Sequence, residues 1–150
     1  MGFDTSATKS IFFIASVIVA VVLSGVFTGV TYKLSSDIDT RGSMLSSVLK
    51  SDIEIINDPE NVPYNATTNE LIIYVKNTGK NILPTSDLTI IIDGLVVSQG
   101  NFSIEILGGY TSWGPGVVIK ITITESLSAG DHKIKVVLNN GVYDEMYFRI

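Results

Sequence analysis

Residues 10–32 read SIFFIASVIVAVVLSGVFTGVTY, twenty-three residues without a charge, bounded by Lys9 and Lys33. A helix rises 1.5 Å per residue, so a run of ~20 apolar residues matches the ~30 Å hydrocarbon core of a bilayer. The run is expected to be a single transmembrane helix, with residues 1–9 as a short N-terminal segment. It exceeds the roughly 7–15-residue apolar stretch of a secretory signal, and its end, Val26 to Thr31, lacks a small-x-small cleavage pattern. A retained anchor is therefore expected. Met1 to Ser6 formally match an N-myristoylation pattern, which a spanning helix would make redundant. Lys and Arg are nearly balanced on the two flanks, so the positive-inside rule says little about orientation.

The helical pattern continues beyond the lipid. The first proline is Pro59. Between Lys33 and Ser51 the apolar residues Leu34, Ile38, Leu45, Val48 and Leu49 form a narrow stripe of helical period among Ser, Asp, Thr and Lys. Residues 33–51 are expected to be a helical extension or stalk. Two readings of the stripe stand: it packs on its own globular domain, or on copies and partner helices. Gly42 beside Arg41 weakens the helix locally by about 1 kcal/mol relative to Ala and marks a candidate hinge. Within the membrane segment, Ser16, Ala20, Ser24 and Thr28 form one ridge of small residues, with Gly25 and Gly29 as a GxxxG beside it. Small ridges let helix backbones approach closely where lipid removes the hydrophobic drive, so these six residues are the helix-packing candidates.

From Asp52 to Ile150 the period changes to two. Ile53 and Ile55 alternate with Asp52 and Glu54, and Val117, Ile119, Ile121 and Ile123 alternate with Lys120, Thr122 and Thr124. Ile134, Val136 and Leu138 alternate with Lys133 and Lys135, as Met146, Phe148 and Ile150 do with Glu145, Tyr147 and Arg149. Alternation marks half-buried antiparallel strands. Further strands are predicted at 71–76, 88–93, 95–98 and 102–107. Asn140-Gly141 and Asp93-Gly94 predict type I′ hairpins, and residues 77–81 and 128–131 predict loops. Seven or eight short strands in ~100 residues suggest an immunoglobulin-like β-sandwich. The expected fold class is thus α plus all-β: a long N-terminal transmembrane helix extending into an antiparallel sandwich at residues 52–150.

Charge and chemistry narrow the function. The net charge is −5, and acidic and basic residues balance up to Asp52, so the excess lies in the sandwich. An acidic domain is a poor nucleic-acid binder. There are no cysteines and one histidine, His132, so no thiolate site, His/Cys metal site or nucleophilic triad is available. His132 is expected to be a solvated turn or edge residue. Asp52, Glu54, Asp58 and Glu60 cluster in sequence without EF-hand spacing and read as solvated acids. No cofactor, metal or enzymatic activity is expected. Asp144 interrupts the inward set of the last strand; an edge position, a bulge and a buried hydrogen-bonded pair all remain open. Tyr110 and Trp113, in the loop Tyr110-Thr111-Ser112-Trp113-Gly114-Pro115-Gly116, either cap the sandwich or act as interface anchors. Asn65-Ala66-Thr67 and Asn101-Phe102-Ser103 are glycosylation sequons, which favours an extracytoplasmic sandwich. The useful surfaces would be sheet edges and exposed apolar faces able to join copies.

Ile11 to Ser16, the helix around Arg41-Gly42, the block Ser51 to Pro59 and the segment Ser112 to Gly116 resemble the FlaG (ArlG) family of archaellum accessory proteins, over nearly the full chain. The resemblance implies a membrane-anchored, archaellin-like sandwich that acts outside the cytoplasmic membrane of an archaeon, in the pseudoperiplasm. The N-terminus would be inside. It implies a stator component of the archaellum motor that self-assembles and binds a second accessory protein, of FlaF type, which contacts the S-layer. Two other readings stand beside it. One is an archaellin or type IV pilin-like filament subunit, which shares the long helix and β head. Filament precursors carry a basic residue and Gly just before the apolar run; here Gly2 follows only Met1, Lys9-Ser10 has no such Gly, and no Glu opens the run. The other is a membrane-tethered sandwich that binds a ligand or serves adhesion.

Overall fold

The computed structural model describes the backbone of residues 2–150 and the side chains from Thr5 onward. One helix, α1 (Gly2–Lys50), precedes nine strands: β1 (Ile53–Ile55), β2 (Tyr64–Asn65), β3 (Glu70–Asn77), β4 (Thr89–Ile92), β5 (Leu95–Val96), β6 (Phe102–Ile106), β7 (Val118–Thr124), β8 (Asp131–Val137) and β9 (Tyr143–Arg149). A 3₁₀ turn, Gln99–Asn101, joins β5 to β6. The chain forms two units, residues 1–43 and residues 44–150.

The first unit is helical throughout its described residues. Nothing in it breaks a helix except Gly25, Gly29 and Gly42, each with open space where a Cβ would stand. Its apolar side chains, from Ile11 to Tyr32, are exposed all round the helix rather than on one face. The helix is long and apolar enough to cross a membrane. Its hydroxyls turn back on the helix: Ser16 Oγ donates to the Phe13 carbonyl at 2.7 Å and Thr28 Oγ1 to the Ser24 carbonyl at 2.8 Å. That satisfies polar atoms which hydrocarbon would leave unpaired.

The second unit is a sandwich of two antiparallel sheets, ordered β1-β3-β7-β6, with β2 also on β3, and β5-β4-β8-β9. Alternation of the sequence sets the layers: Leu71, Ile73, Val75, Ile119, Ile121 and Ile123 from one sheet and Ile90, Ile134 and Val136 from the other are fully buried between them. The expected fold class is the observed one. The strand β2 and the truncation of β5 to two residues escape a periodicity reading, because two-residue pairings carry no period. Asp93-Gly94 forms the predicted tight hairpin, with φ of 52° and 85° at the two positions and Ile92 paired to Leu95. Asn140-Gly141 does not. Gly141 N donates to the Leu138 carbonyl at 3.0 Å, and only Gly141 has positive φ, at 84°. The loop is therefore three residues long, a type I turn closed by a left-handed glycine, which frees the Asn140 side chain for another task.

Candidate functional site

The end of α1, where helix gives way to strand, is densely hydrogen-bonded. A helix terminus leaves its last carbonyls without partners. Here they are taken by a loop far along the chain. The Lys50 carbonyl accepts the N–H of Lys80 at 2.7 Å and of Asn81 at 3.3 Å, and the Asp52 carbonyl accepts those of Thr78 and Gly79, both at 3.1 Å. Asn81 Nδ2 donates to the Ser47 carbonyl at 3.3 Å, and Ser51 Oγ donates to the same oxygen at 2.8 Å. The other sheet contributes through the β8–β9 turn, where Asn140 Nδ2 donates to Ser51 Oγ at 2.9 Å. The last residues of α1 are thus clasped by loops of both sheets. Gly79 is required by closeness rather than by φ: a Cβ there would lie 2.6 Å from both the Lys50 oxygen and the Asp52 nitrogen.

One residue ties this clasp to the Trp113 loop. Asn77 is fully buried at the end of β3. Its Oδ1 accepts Gly79 N–H at 3.0 Å, and its Nδ2 donates to the carbonyls of Asn81 at 2.8 Å and Trp113 at 2.9 Å. Trp113 is 1% exposed, and its indole N–H donates to the Val117 carbonyl at 3.1 Å. Of the two aromatic interface candidates, Trp113 is therefore a core residue: its large ring closes the end of the sandwich while its polar edge is satisfied internally. Tyr110 is exposed. The loop and the clasp are one construction, although the bond that joins them, from Asn77 to Trp113, spans 36 positions of sequence.

The block 51–59 also seals one side of the sandwich, where β1 of one sheet meets β9 of the other. The pairing of β1 with β3 turns the Ile55 N–H outward, and Asp144 Oδ2 accepts it at 2.7 Å. This resolves the Asp144 question as a partly buried carboxylate hydrogen-bonded across the two sheets. Beyond β1 the Asn57 side chain continues the ladder, its Oδ1 accepting Tyr74 N–H at 2.6 Å and its Nδ2 donating to the Ile72 carbonyl at 3.0 Å. Pro63 then accepts Ile72 N–H, and Pro59 accepts Arg149 N–H from the edge of β9. A single amide side chain substitutes for a stretch of strand between β1 and β2.

His132 is not solvated. It lies in β8 at 8% exposure, against the Phe148 ring. Nδ1 is 2.7 Å from Asp93 Oδ2 and Nε2 is 2.8 Å from the Ser128 carbonyl, so two acceptors face the two ring nitrogens. The Asp93 carboxylate, and then the Ser128 carbonyl, raise the His132 pKa, while the same contact lowers that of Asp93. The expectation failed because the residue sits on the inward phase of β8, whose period Ile134 and Val136 already display. Its partner Asp93 occupies the hairpin turn and carries no periodic signal. The pair borders a cleft of about 540 Å³ between the β4–β5 hairpin and the loop 125–128.

The remaining candidates lie apart. Ser16, Ala20, Ser24, Gly25, Thr28 and Gly29 are exposed along α1 in the first unit. Since the Ser16 and Thr28 hydroxyls are already bonded to their own helix, the ridge offers close packing rather than interhelical hydrogen bonds. Asn65 and Asn101 are both exposed, and Asn65 Oδ1 is engaged by the Thr67 N–H at 2.9 Å. The apolar stripe of α1 beyond Lys33 is exposed at Leu34, Ile38, Leu45 and Leu49.

A model of the archaeal-type flagellin family matches residues 2–148. The chain is similar to a flagella-related protein G of Methanocaldococcus jannaschii, 34% identical over 141 residues, covering 93% of this chain and 91% of that one. It is also similar to a flagella-related protein G of Methanococcus voltae, 37% identical over 137 residues and 90% of each chain.

Proposed function

This chain belongs to the archaeal-type flagellin family, a structural family of the archaellum, and from that premise we propose that it is a non-enzymatic stator component of the archaellum motor. In this reading α1 crosses the cytoplasmic membrane once with the N-terminus inside. The sandwich stands in the pseudoperiplasm, assembles with copies of itself, and contacts a second accessory protein of FlaF type and through it the S-layer. Residues 10–32 are the spanning part, and 33–51 the stalk. The small ridge from Ser16 to Gly29 is the helix-packing surface, Tyr110 is an interface aromatic, and Asn65 and Asn101 are glycan positions.

The observation that carries the proposal is the clasp. Holding the end of a helix by loops from both sheets, with side-chain bonds from Asn77, Asn81 and Asn140, is more than a flexible tether needs. A tether would be satisfied by a few Gly or Ser residues. A structure that transmits torque must not yield where helix meets sandwich.

The test is location and load. A labelled, functional copy of the protein should be found at the base of each archaellum and not along the filament; label along the filament would sink the stator reading. Gly79→Ala should leave the protein present and membrane-bound but reduce swimming, because the clasp cannot close around a Cβ. The filament-subunit reading draws on the flagellin family match. Intact-mass measurement separates the two, since loss of N-terminal residues from the mature protein would favour the subunit.

A further inference from the structure

Among the described residues, none covers the β5 and β6 side of the sandwich as Asp144, Asn57 and Pro59 cover the side of β1 and β9. Leu107 N donates to the Val118 carbonyl, which fixes the hydrogen-bonding phase of β6 on β7. In that phase Ser103 and Glu105 bond to β7, while the N–H and C=O groups of Phe102, Ile104 and Ile106 point away from it. Natural edges are blunted with charged side chains, Lys above all, with Pro, bulges or covering loops; β6 reads Phe-Ser-Ile-Glu-Ile, without Lys, Pro or bulge, and its one charge, Glu105, pairs with Lys120 of β7 at 3.5 Å. Its inward side chains Phe102, Ile104 and Ile106 are only half-buried, whereas Ile119, Ile121 and Ile123 on β7 are fully buried. On the neighbouring edge Leu95 and Val96 are 76% and 66% exposed.

We propose that β6 is the strand through which two copies of this chain join, running antiparallel about a two-fold axis at Ile104. The proposal rests on the self-assembling reading above and adds the surface. The occupant is argued from self-complementarity. A two-fold at Ile104 pairs Phe102 with the partner's Ile106 and Ser103 with the partner's Glu105, so apolar meets apolar and no like charges face each other. An axis at Glu105 would oppose two carboxylates, and one at Ser103 would shorten the overlap. Only pairing through the even-numbered residues uses the outward amides, and the Ile104 axis uses all five residues of the strand. The merged sheet would bury the half-exposed edge of each core and remove the open edge.

The chain contains no cysteine, so introduced thiols report without background. Ser103→Cys and Glu105→Cys are made singly in full-length protein that also carries Asn101→Gln, so that both lack the Asn101 sequon, and are studied in detergent with the buried Trp113 fluorescence used to verify folding. In the proposed register these positions face each other as a non-hydrogen-bonded pair about 4.5 Å apart at Cα, within disulfide reach. Each position lies roughly 7–8 Å or more from its own copy. Under mild oxidation the mixture should cross-link to a heterodimer at least about tenfold faster than either variant alone, as the ~mM effective concentration within a formed pair predicts. Equal rates in all three samples would overturn the proposal. So would no cross-link while the unmodified chain remains oligomeric, and self-assembly would then run through another surface. An unmodified chain that stays monomeric in the same detergent would overturn the self-assembling reading and this surface together.

Discussion

Where β1 meets β9, the outward amide of Ile55 is taken by Asp144 and that of Arg149 by Pro59, and Asn57 fills the gap in the ladder. On the β5–β6 side, among the described residues, no side chain or loop performs that service for Ile104 or Val96. Both sides are made of short antiparallel strands with the same alternation, so local sequence does not explain the contrast. The sealed side adjoins the block that follows α1 directly, and its closure fixes the start of the sandwich beside the clasp. The open side is far from that block in sequence and is joined only by the 3₁₀ turn at 99–101. The lesson is that a fold can concentrate its long-range polar contacts on one side and leave a strand edge open on the other.

The largest stability effect is expected at the seal. Asp144→Ala leaves the Ile55 N–H without its carboxylate and should cost about 1.5–3 kcal/mol, the range for hydrogen bonds to charged groups. Urea unfolding of the full chain in detergent, read by Trp113 fluorescence, measures it; a change too small to detect would mean the two sides are energetically alike. Next comes Asn57→Ala, which strands the Tyr74 N–H and Ile72 carbonyl and should cost about 1–2 kcal/mol.

A third effect depends on pH and sits on the open side, where His132 and Asp93 hold the β4–β5 hairpin. The folded pKa of His132 is raised above its ordinary 6.5. Its contribution is therefore full below about pH 6.5 and fades as pH climbs through the higher folded value. Asp93 is lowered, so its contribution is present above its ordinary value and fades as pH falls through the folded one. The difference in melting temperature between the unmodified chain and His132→Gln should shrink from pH 6 to pH 9 (~3 units spanning the ordinary His value). A constant difference would show that the contact does not depend on charge.

The smallest stability effect is expected at β6 itself. Glu105→Ala breaks only the exposed pair with Lys120 at 3.5 Å, and exposed pairs contribute about 0–1 kcal/mol. Stability of the monomer should barely move. A large loss there would break the comparison by making β6 a structural strand rather than an open edge.

The sandwich strands were legible because burial on one face imposes a period of two, as in Ile119, Ile121 and Ile123. His132 obeyed that period and was misread by residue type, since a histidine at a strand start looks solvated until its two acceptors are seen. For Trp113 the sequence left capping and interface readings both open, because a ring closing the end of a sandwich has no periodic neighbours; its burial decides for capping. In sequence Asn140 reads as half of a two-residue turn; the turn is one residue longer, and its amide serves the clasp.

By itself the sequence determined the apolar helix, the change of period at Asp52 and the lack of cysteine, since each is a local property of composition or spacing. Tertiary structure alone decided that Gly79 meets Lys50, that Asn77 binds the Trp113 loop, and that Asp144 closes one side and leaves the other open. Those are single polar contacts between residues far apart in the chain. A hydrogen bond needs one donor and one acceptor at the right place, and nothing in the residues between them encodes where that place is.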